Sequence, residues 1–502
     1  MKKRYYVFAF TCIFAIALCA CGKKEVKYQP DSQATQSDAE DEEGGNKLEG
    51  GLAKSLGVEE TIVESITTDE GETIKIYGDV KVPDIDGLNV YEATKKSFDD
   101  MEVRKSIVEK VSDDGKIYSA KEEQLPAYIL TRRAEDAKIN MQMWEKLMQE
   151  DPDYKDDYQR YLQEEKENYE KYQSLAAKAG DEFVEATYED WKEAEAIQYT
   201  EENYNYMETW VIILRDGNPW YLRVDEYDGM TMTAVDYRDY FPEKANDYTA
   251  IEGGVFKNGI GKKVDENTQT AYVDPANEFV QSLEIGEFTS QGLVSDASFY
   301  GITEEKGRQE PEGLGDCGAR IVAFSRDLDG MLMDSDSYWG MITYENAEEA
   351  NNSYPVEKYL SEEIIVCVGA NGEILGMNLK GLVDTPSVQT QGVALLNFEQ
   401  IKAAIFNQLQ TNPPSDANVT QEGGSIKYNP LKTYGDLTLK YFRMPDEDNE
   451  DAFTILPVWA LKAQTGDEYS SVSLIINAMD GSVIDPGKVL YRKETWEEKN
   501  KE

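Results

Sequence analysis

Met207-Glu208-Thr209-Trp210-Val211-Ile212-Ile213-Leu214, then Arg215-Asp216-Gly217-Asn218, then Pro219-Trp220-Tyr221-Leu222-Arg223-Val224 is the stretch on which the fold turns. Two runs of β-branched, aromatic and aliphatic residues flank an Asp-Gly pair, which supplies the positive φ angles of a tight primed turn. The stretch therefore reads as an antiparallel β-hairpin. The same device recurs at Asp329-Gly330, Asn371-Gly372 and Asp480-Gly481. Hairpins, not βαβ crossovers, dominate the C-terminal half. The implied fold class is α+β: a helical N-terminal segment plus antiparallel β-hairpin modules, each with a packing helix.

Upstream the period changes. From Ala127 to about Ile197 there is almost no glycine or β-branched residue, and Ile129, Ala137, Met141, Trp144 and Met148 recur at helical spacing. Asp151-Pro152 reads as an N-cap followed by proline at the first helical position, and Gly180-Asp181 as a second stop and start, so about three helices are expected. Further upstream, Thr73-Ile74-Lys75-Ile76-Tyr77 reads as a strand and Asp113-Asp114-Gly115-Lys116-Ile117-Tyr118 as another hairpin signal. Downstream, Asp274-Pro275 starts a helix carrying Phe279, Val280 and Leu283. Asn397 and Gln400 start another with Phe398, Ile401, Ile405 and Leu409 on one face. Each helix precedes strands that end in apolar-Asp-Gly-x-x-x-Asp; duplication and convergent turns explain this equally well. The expected division is 59–125 as a small β-rich segment, 126–200 helical, 201–270 hairpins, 271–390 a first α+β module and 391–495 a second.

Of the 502 residues, Lys and Arg supply 51 and Asp and Glu 98, for a net charge of −47, and none is histidine. Histidine triads, imidazole metal sites and histidine pH switches are thereby excluded. So large an excess of carboxylates repels the phosphates of nucleic acids and anionic lipid headgroups. The beginning of the chain, Met1-Lys2-Lys3-Arg4, an apolar run from Tyr5 to Leu18 and Cys19-Ala20-Cys21-Gly22, has the parts of a secretory signal. Its Leu18-Cys19-Ala20-Cys21 resembles the lipobox of bacterial lipoproteins. That resemblance implies a signal over 1–20, a diacylglyceryl anchor on Cys21, and residence on the extracytoplasmic face of the cell membrane. Residues 21–58 are expected to form an acidic disordered tether, since Gln29 to Gly57 is almost free of large apolar side chains.

Phe453-Thr454-Ile455-Leu456-Pro457-Val458-Trp459 followed by Ser473-Leu474-Ile475-Ile476-Asn477-Ala478-Met479-Asp480-Gly481 resembles the closing hairpin of a family of Gram-positive lipoproteins defined only as a domain of unknown function. Glu362-Glu363-Ile364-Ile365-Val366 through Asn371-Gly372 and on to Leu395-Leu396-Asn397-Phe398 fits the same pattern. More distantly, the layout is similar to PepSY modules and to the extracytoplasmic domains of YycH/YycI-type regulators, which bind a kinase or protease. The resemblance covers roughly Pro275 to Lys493 and transfers no catalytic residue.

Chemistry is sparse. There is no phosphate-binding G-x-x-x-x-G-K-[ST], no G-x-S-x-G and no S-x-x-K, and Gly259-Ile260-Gly261 lacks a third glycine. Cys317 and Cys367 lie in the folded region; outside the cytoplasm an even count permits a disulfide between them, and two buried thiols are the alternative. The acidic loops Asp84-Ile85-Asp86-Gly87, Asp334-Ser335-Asp336 and Asp446-Glu447-Asp448-Asn449-Glu450-Asp451 allow weak calcium binding, though none has EF-hand spacing. No metal ligand set and no cofactor is expected. Tyr154, Tyr158, Tyr161, Tyr169 and Tyr172 form a helical stripe, either an aromatic docking face or the packing face of an amphipathic helix. The expected function is a non-enzymatic binding module for a membrane or cell-surface protein. A lipoprotein capturing glycans, peptides or cations is the competing expectation, and a histidine-independent carboxylate hydrolase the third.

Overall fold

The computed structural model describes residues 51–192, 208–225, 228–241, 250–253, 262–302, 312–313, 317–336, 352–422, 425–446, 448–465, 468–495 and 498. The signal segment, Cys21 and most of the tether lie outside the described residues. The last part of the expected tether is ordered: Gly51–Leu56 is helical, because Leu52 and Leu56, one turn apart, are both buried. Among the described residues no helix is long and apolar enough to cross a membrane.

Two of the Asp-Gly turns form as their chemistry requires. Strands Glu208–Arg215 and Asn218–Asp225 pair down to Arg215 opposite Asn218, with Asp216 at φ 51° and Gly217 at φ 73°. Asp329 and Gly330 take φ 55° and 87°; at Asn371-Gly372 and Asp480-Gly481 only the glycine is at positive φ, 82° and 76°, so these two turns are not the primed turns expected. The Asp113–Tyr118 stretch is not a hairpin. Asp113 instead accepts hydrogen bonds from the Asp216 and Gly217 backbone N–H groups at 2.9 Å, buttressing the turn of the Glu208–Asp225 hairpin. Just before it, within the segment expected to be β-rich, lies the helix Met101–Val111. Asp100 caps it by accepting from the Glu102 N–H, and Ile107, Val108 and Val111 form its buried stripe.

The protein is α+β, and its chain divides into two compact units, each assembled from separate segments. One takes 1–92, 329–359 and 387–502; the other takes 93–328 and 360–386. Divisions at 125, 200, 270 and 390 do not coincide with these units, because the pairings that define them join residues far apart in sequence.

In the first unit, the strand order is Thr61–Thr67, Thr73–Lys81, Thr433–Pro445, Ala452–Thr465, Glu468–Asn477, Val483–Ile484. Thr73–Lys81 runs parallel to Thr433–Pro445, and the other pairings in this order are antiparallel. At the parallel crossing a side chain on Gly78 would place its Cβ 2.4 Å from the Gly435 carbonyl carbon, so only glycine fits. Helix Phe398–Thr411 covers this sheet. Asn397 and Gln400 form a reciprocal capping box at its start, and Phe398, Ile401, Ile405 and Leu409 are buried. The Phe398 ring lies 5.7 Å from that of Trp459, which is fully buried.

The second unit is built on a longer sheet. Its order is Tyr118–Ser119, Glu208–Arg215, Asn218–Asp225, Met230–Ala234, Ile374–Lys380, Glu363–Val368, Arg320–Leu328, Phe288–Asp296, Lys262–Lys263. Every residue of Glu363–Val368 is buried, which explains the unbroken apolar run from Ile364 to Val368; Glu363 at its start pairs with Lys380. Helix Asp274–Ser282 packs Ala276, Phe279 and Val280 into the same core as Ile107, Val108, Trp220 and Val366. One ion pair is sealed within this unit. Arg326 donates through Nε and an Nη to the two Glu362 oxygens, both at 2.7 Å, and the pair is 2% and 0% exposed. Arg326 also donates to the Val383 carbonyl at 3.0 Å, Glu362 accepts from the Val383 N–H at 2.9 Å, and the Phe288 ring covers the guanidinium.

Helices Ala127–Glu150 and Lys155–Ala176 form an antiparallel hairpin of the second unit, with Asp151 ending the first and Pro152–Tyr154 a 3₁₀ turn between them. Its foot packs on the sheet through Leu125, Ile129 and Leu130 against Ile212, with Tyr172 and Leu175 beside them. Its far half has a separate small core of Met143, Leu147 and Tyr158.

Candidate functional site

At the foot of the helical hairpin the structure holds a cavity of about 230 Å³. Tyr128, Ile129, Arg132, Arg133 and Asp136 reach it from helix Ala127–Glu150, which starts beside Pro126 and presents these residues over its first three turns. Pro219 and Tyr221 reach it from the Asn218–Asp225 strand, and Val235, Asp236 and Arg238 from the segment after Met230–Ala234. Three of the thirteen arginines of a chain with net charge −47 thus meet at one cavity, and with Asp136 and Asp236 the site has a net positive charge.

Asp236 organises two of the arginines. Its carboxylate accepts from Arg132 Nη1 at 2.7 Å, from Arg238 Nε at 2.9 Å and from Arg238 Nη2 at 2.7 Å, and it caps the following 3₁₀ turn by accepting the Arg238 N–H. The third is set differently. Arg133 donates to the Tyr221 hydroxyl at 2.6 Å, lies 3.6 Å from Glu122 and stands over the Tyr172 ring. Burial opposes its charge, but Tyr221, Tyr172 and Glu122 outweigh burial and hold its proton more tightly than in a free arginine. Tyr172 donates to Glu122 at 2.9 Å. The site can present rigidly held guanidinium donors with aromatic walls, the arrangement that recognises planar anions such as carboxylates.

Burial, with Glu122 adding to it, pushes the Tyr172 hydroxyl up to about 12, and burial does the same for Tyr118 and Tyr188. A raised folded value means that the neutral phenol is favoured in the fold. Stability from these groups is complete below the ordinary tyrosine value of about 10 and is lost as pH rises from there toward about 12, because the unfolded chain ionises first. Denaturation midpoints measured from pH 9 to 12 should fall, with Tyr172→Phe falling less steeply than the parent. An equal slope would show that Tyr172 ionises equally in both states.

The sites expected from sequence fare as follows. Cys21 lies outside the described residues. Cys317 and Cys367 are free thiols, not a disulfide. Cys367 stands opposite Ile321 on one side and Gly376 on the other, and Cys317 lies before the paired strand, packed against the same core. Burial pushes the Cys367 thiol up, so it behaves as a small apolar residue. In the acidic loop at Asp334 the carboxylates of Asp334 and Asp336 are taken by Lys440, and that of Asp336 also by Lys462. Asp446 accepts from the N–H groups of Asp448 and Asn449, and Glu450 pairs with Lys358. Among the described residues no group of three or more acidic or thiol side chains is placed to hold a metal ion.

The tyrosine stripe separates into two roles. Tyr158 and Tyr161 pack on Trp144, with ring centroids 5.8 and 4.9 Å away, which is internal packing of the hairpin. Tyr172 alone joins the surroundings of the cavity through Arg133. Sequence reasoning missed the arginines. Its one available signal was the Arg132-Arg133 pair in an otherwise acidic helical stretch, and nothing local links that pair to Arg238.

No family model and no curated protein matches this chain. Among solved structures, an uncharacterized protein from Eubacterium rectale is similar to it with a TM-score of 0.35 and 12% sequence identity, over 86% of this chain and 96% of that one.

Proposed function

We propose that this chain is a non-enzymatic binding module held on the extracytoplasmic face of the membrane by a lipid on Cys21, and that the arginine-lined cavity receives an anionic group of a protein partner. The observation that carries this reading is the convergence of Arg132, Arg133 and Arg238 on one cavity of a strongly acidic chain. Cavities that enclose whole small ligands usually begin near 300 Å³. About 230 Å³ suits one group of a larger molecule, such as an acidic side chain or a terminal carboxylate. Asp236 lines the same space, but its engagement by two guanidinium groups suits a clamp better than a nucleophile. The lipobox-like beginning and the likeness of the closing hairpin to lipoprotein modules support the same reading.

Crosslinking on intact cells, followed by purification of the anchored protein, tests it. One membrane protein should be recovered repeatedly with the parent chain. Arg132 and Arg238 are half-buried, and a hydrogen bond to a charged group contributes about 1.5–3 kcal/mol, so Arg132→Ala and Arg238→Ala should each reduce recovery roughly tenfold. Equal recovery with both variants removes the cavity from the reading. An empty result under effective crosslinking removes the protein partner.

A further inference from the structure

Lys440 lies on the strand Thr433–Pro445, opposite the buried Val458 of the neighbouring strand. Along the other edge, Thr73–Lys81 accompanies this strand only as far as Thr438. Beyond that point Met333 takes over as a parallel bridge partner of Tyr441, and the Asp334 N–H donates to the Tyr441 carbonyl at 2.7 Å. This backbone pairing sets the Asp334 carboxylate against the Lys440 ammonium, which donates to it directly. Their side chains are 2% and 13% exposed. A second carboxylate completes the cluster: Lys440 donates to Asp336 Oδ2 at 3.2 Å, and Lys462 lies 3.0 Å from the same oxygen and donates to Oδ1 at 3.2 Å.

A surface salt bridge needs neither the burial of Lys440 and Asp334 nor a second, part-exposed carboxylate on the same ammonium. An amine, the carboxyl carbon it could attack and a second carboxylate touching that amine are the parts of an amide-forming site. We propose that Lys440 and Asp334 become joined by an intramolecular isopeptide bond, with Asp336 as the catalytic proton relay.

The atoms balance without any added reactant. Asp336 takes one proton from the Lys440 ammonium and passes it to the Asp334 carboxylate, leaving a neutral amine beside a neutral acid. The Nζ lone pair attacks Asp334 Cγ, the C–N bond forms, and the carbonyl π pair moves onto oxygen. A second Nζ proton then travels through Asp336 to the hydroxyl, the C–O bond breaks, and water leaves. Fixed proximity replaces a bimolecular encounter, and enclosure disfavours the return of water. The first proton transfer is the uphill one. Burial opposes the charge on Lys440 but the two carboxylates outweigh it, and Asp336 is likewise held below the ordinary range by Lys440 and Lys462. The bond therefore forms slowly, after folding.

Peptide mapping of the purified full chain by mass spectrometry reads the outcome. The peptides bearing Asp334 and Lys440 should elute as one branched species lighter than their sum by one water. The branched species should be lost in Lys440→Arg, which keeps the positive charge but removes the nucleophile, and strongly depleted in Asp336→Asn. The parent is its own control for folding. Two separate peptides at full mass from aged, folded parent protein would overturn the proposal, and undiminished linkage in folded Asp336→Asn would overturn the relay.

Discussion

Replacing Glu362 by alanine should destabilise the second unit by about 3–5 kcal/mol, the usual cost of leaving one member of a buried ion pair alone. Arg326 would keep its charge at 2% exposure and lose both carboxylate bonds, retaining only the Val383 carbonyl. Its surroundings leave little room for water to take over. Gly286 abuts the guanidinium so closely that a Cβ there would lie 2.3 Å from a terminal nitrogen. The double replacement Arg326→Met with Glu362→Leu should recover most of the loss, since apolar side chains of similar volume often match a buried pair. Denaturant titration of all three chains checks this; a single mutant within 1 kcal/mol of the parent would show that solvent reaches the pair after all.

The second large effect belongs to the other unit. Trp459→Ala should cost about 3–5 kcal/mol, because it empties a fully buried indole site whose neighbours are held by a sheet and a capped helix. Phe398 forms one wall of that site and cannot follow the vacated volume while Asn397 and Gln400 fix the start of its helix. Trp459→Phe should lose much less. Unfolding followed by fluorescence and by far-ultraviolet circular dichroism distinguishes the two units, whose transitions need not coincide. An unchanged first-unit midpoint in Trp459→Ala would contradict the packing described here.

What the sequence made legible is what it encodes locally. Asp216-Gly217 specifies its turn through backbone φ angles, Asn397 and Gln400 specify a helix start through two hydrogen bonds, and Asp151-Pro152 marks the reversal between the hairpin helices. Each acts within a few residues. The helix Met101–Val111 was legible in principle, through Asp100 and the spacing of Ile107, Val108 and Val111, but the Asp-Gly signal after it invited a hairpin reading. Register over long distances was not encoded in any window. Nothing near Cys367 announces that Ile321 will face it, and nothing near Asp334 announces Lys440, 106 residues away. The arginine cavity is hidden for the same reason. Arg132 and Arg238 meet only because the helical hairpin lands on the sheet beside the Asp236 turn.

The assembly of both units from separate segments has a consequence for how the molecule comes into being. The chain passes between units four times, and Thr73–Lys81 has its strand partner at Thr433–Pro445. During synthesis the early hairpin Thr61–Lys81 must wait, with one edge unsatisfied, until nearly the whole polypeptide has emerged. Neighbouring chains can occupy that edge in the interval, and closing so long a loop is slow. The order of folding therefore runs against the order of translation. The second unit can organise most of its sheet early, but it too must await residues 360–386. Truncation from the C-terminus would then remove support from the beginning of the chain first. A chain ended near residue 425, before its parallel partner strand, should leave Thr61–Lys81 more protease-sensitive than it is in the full-length protein.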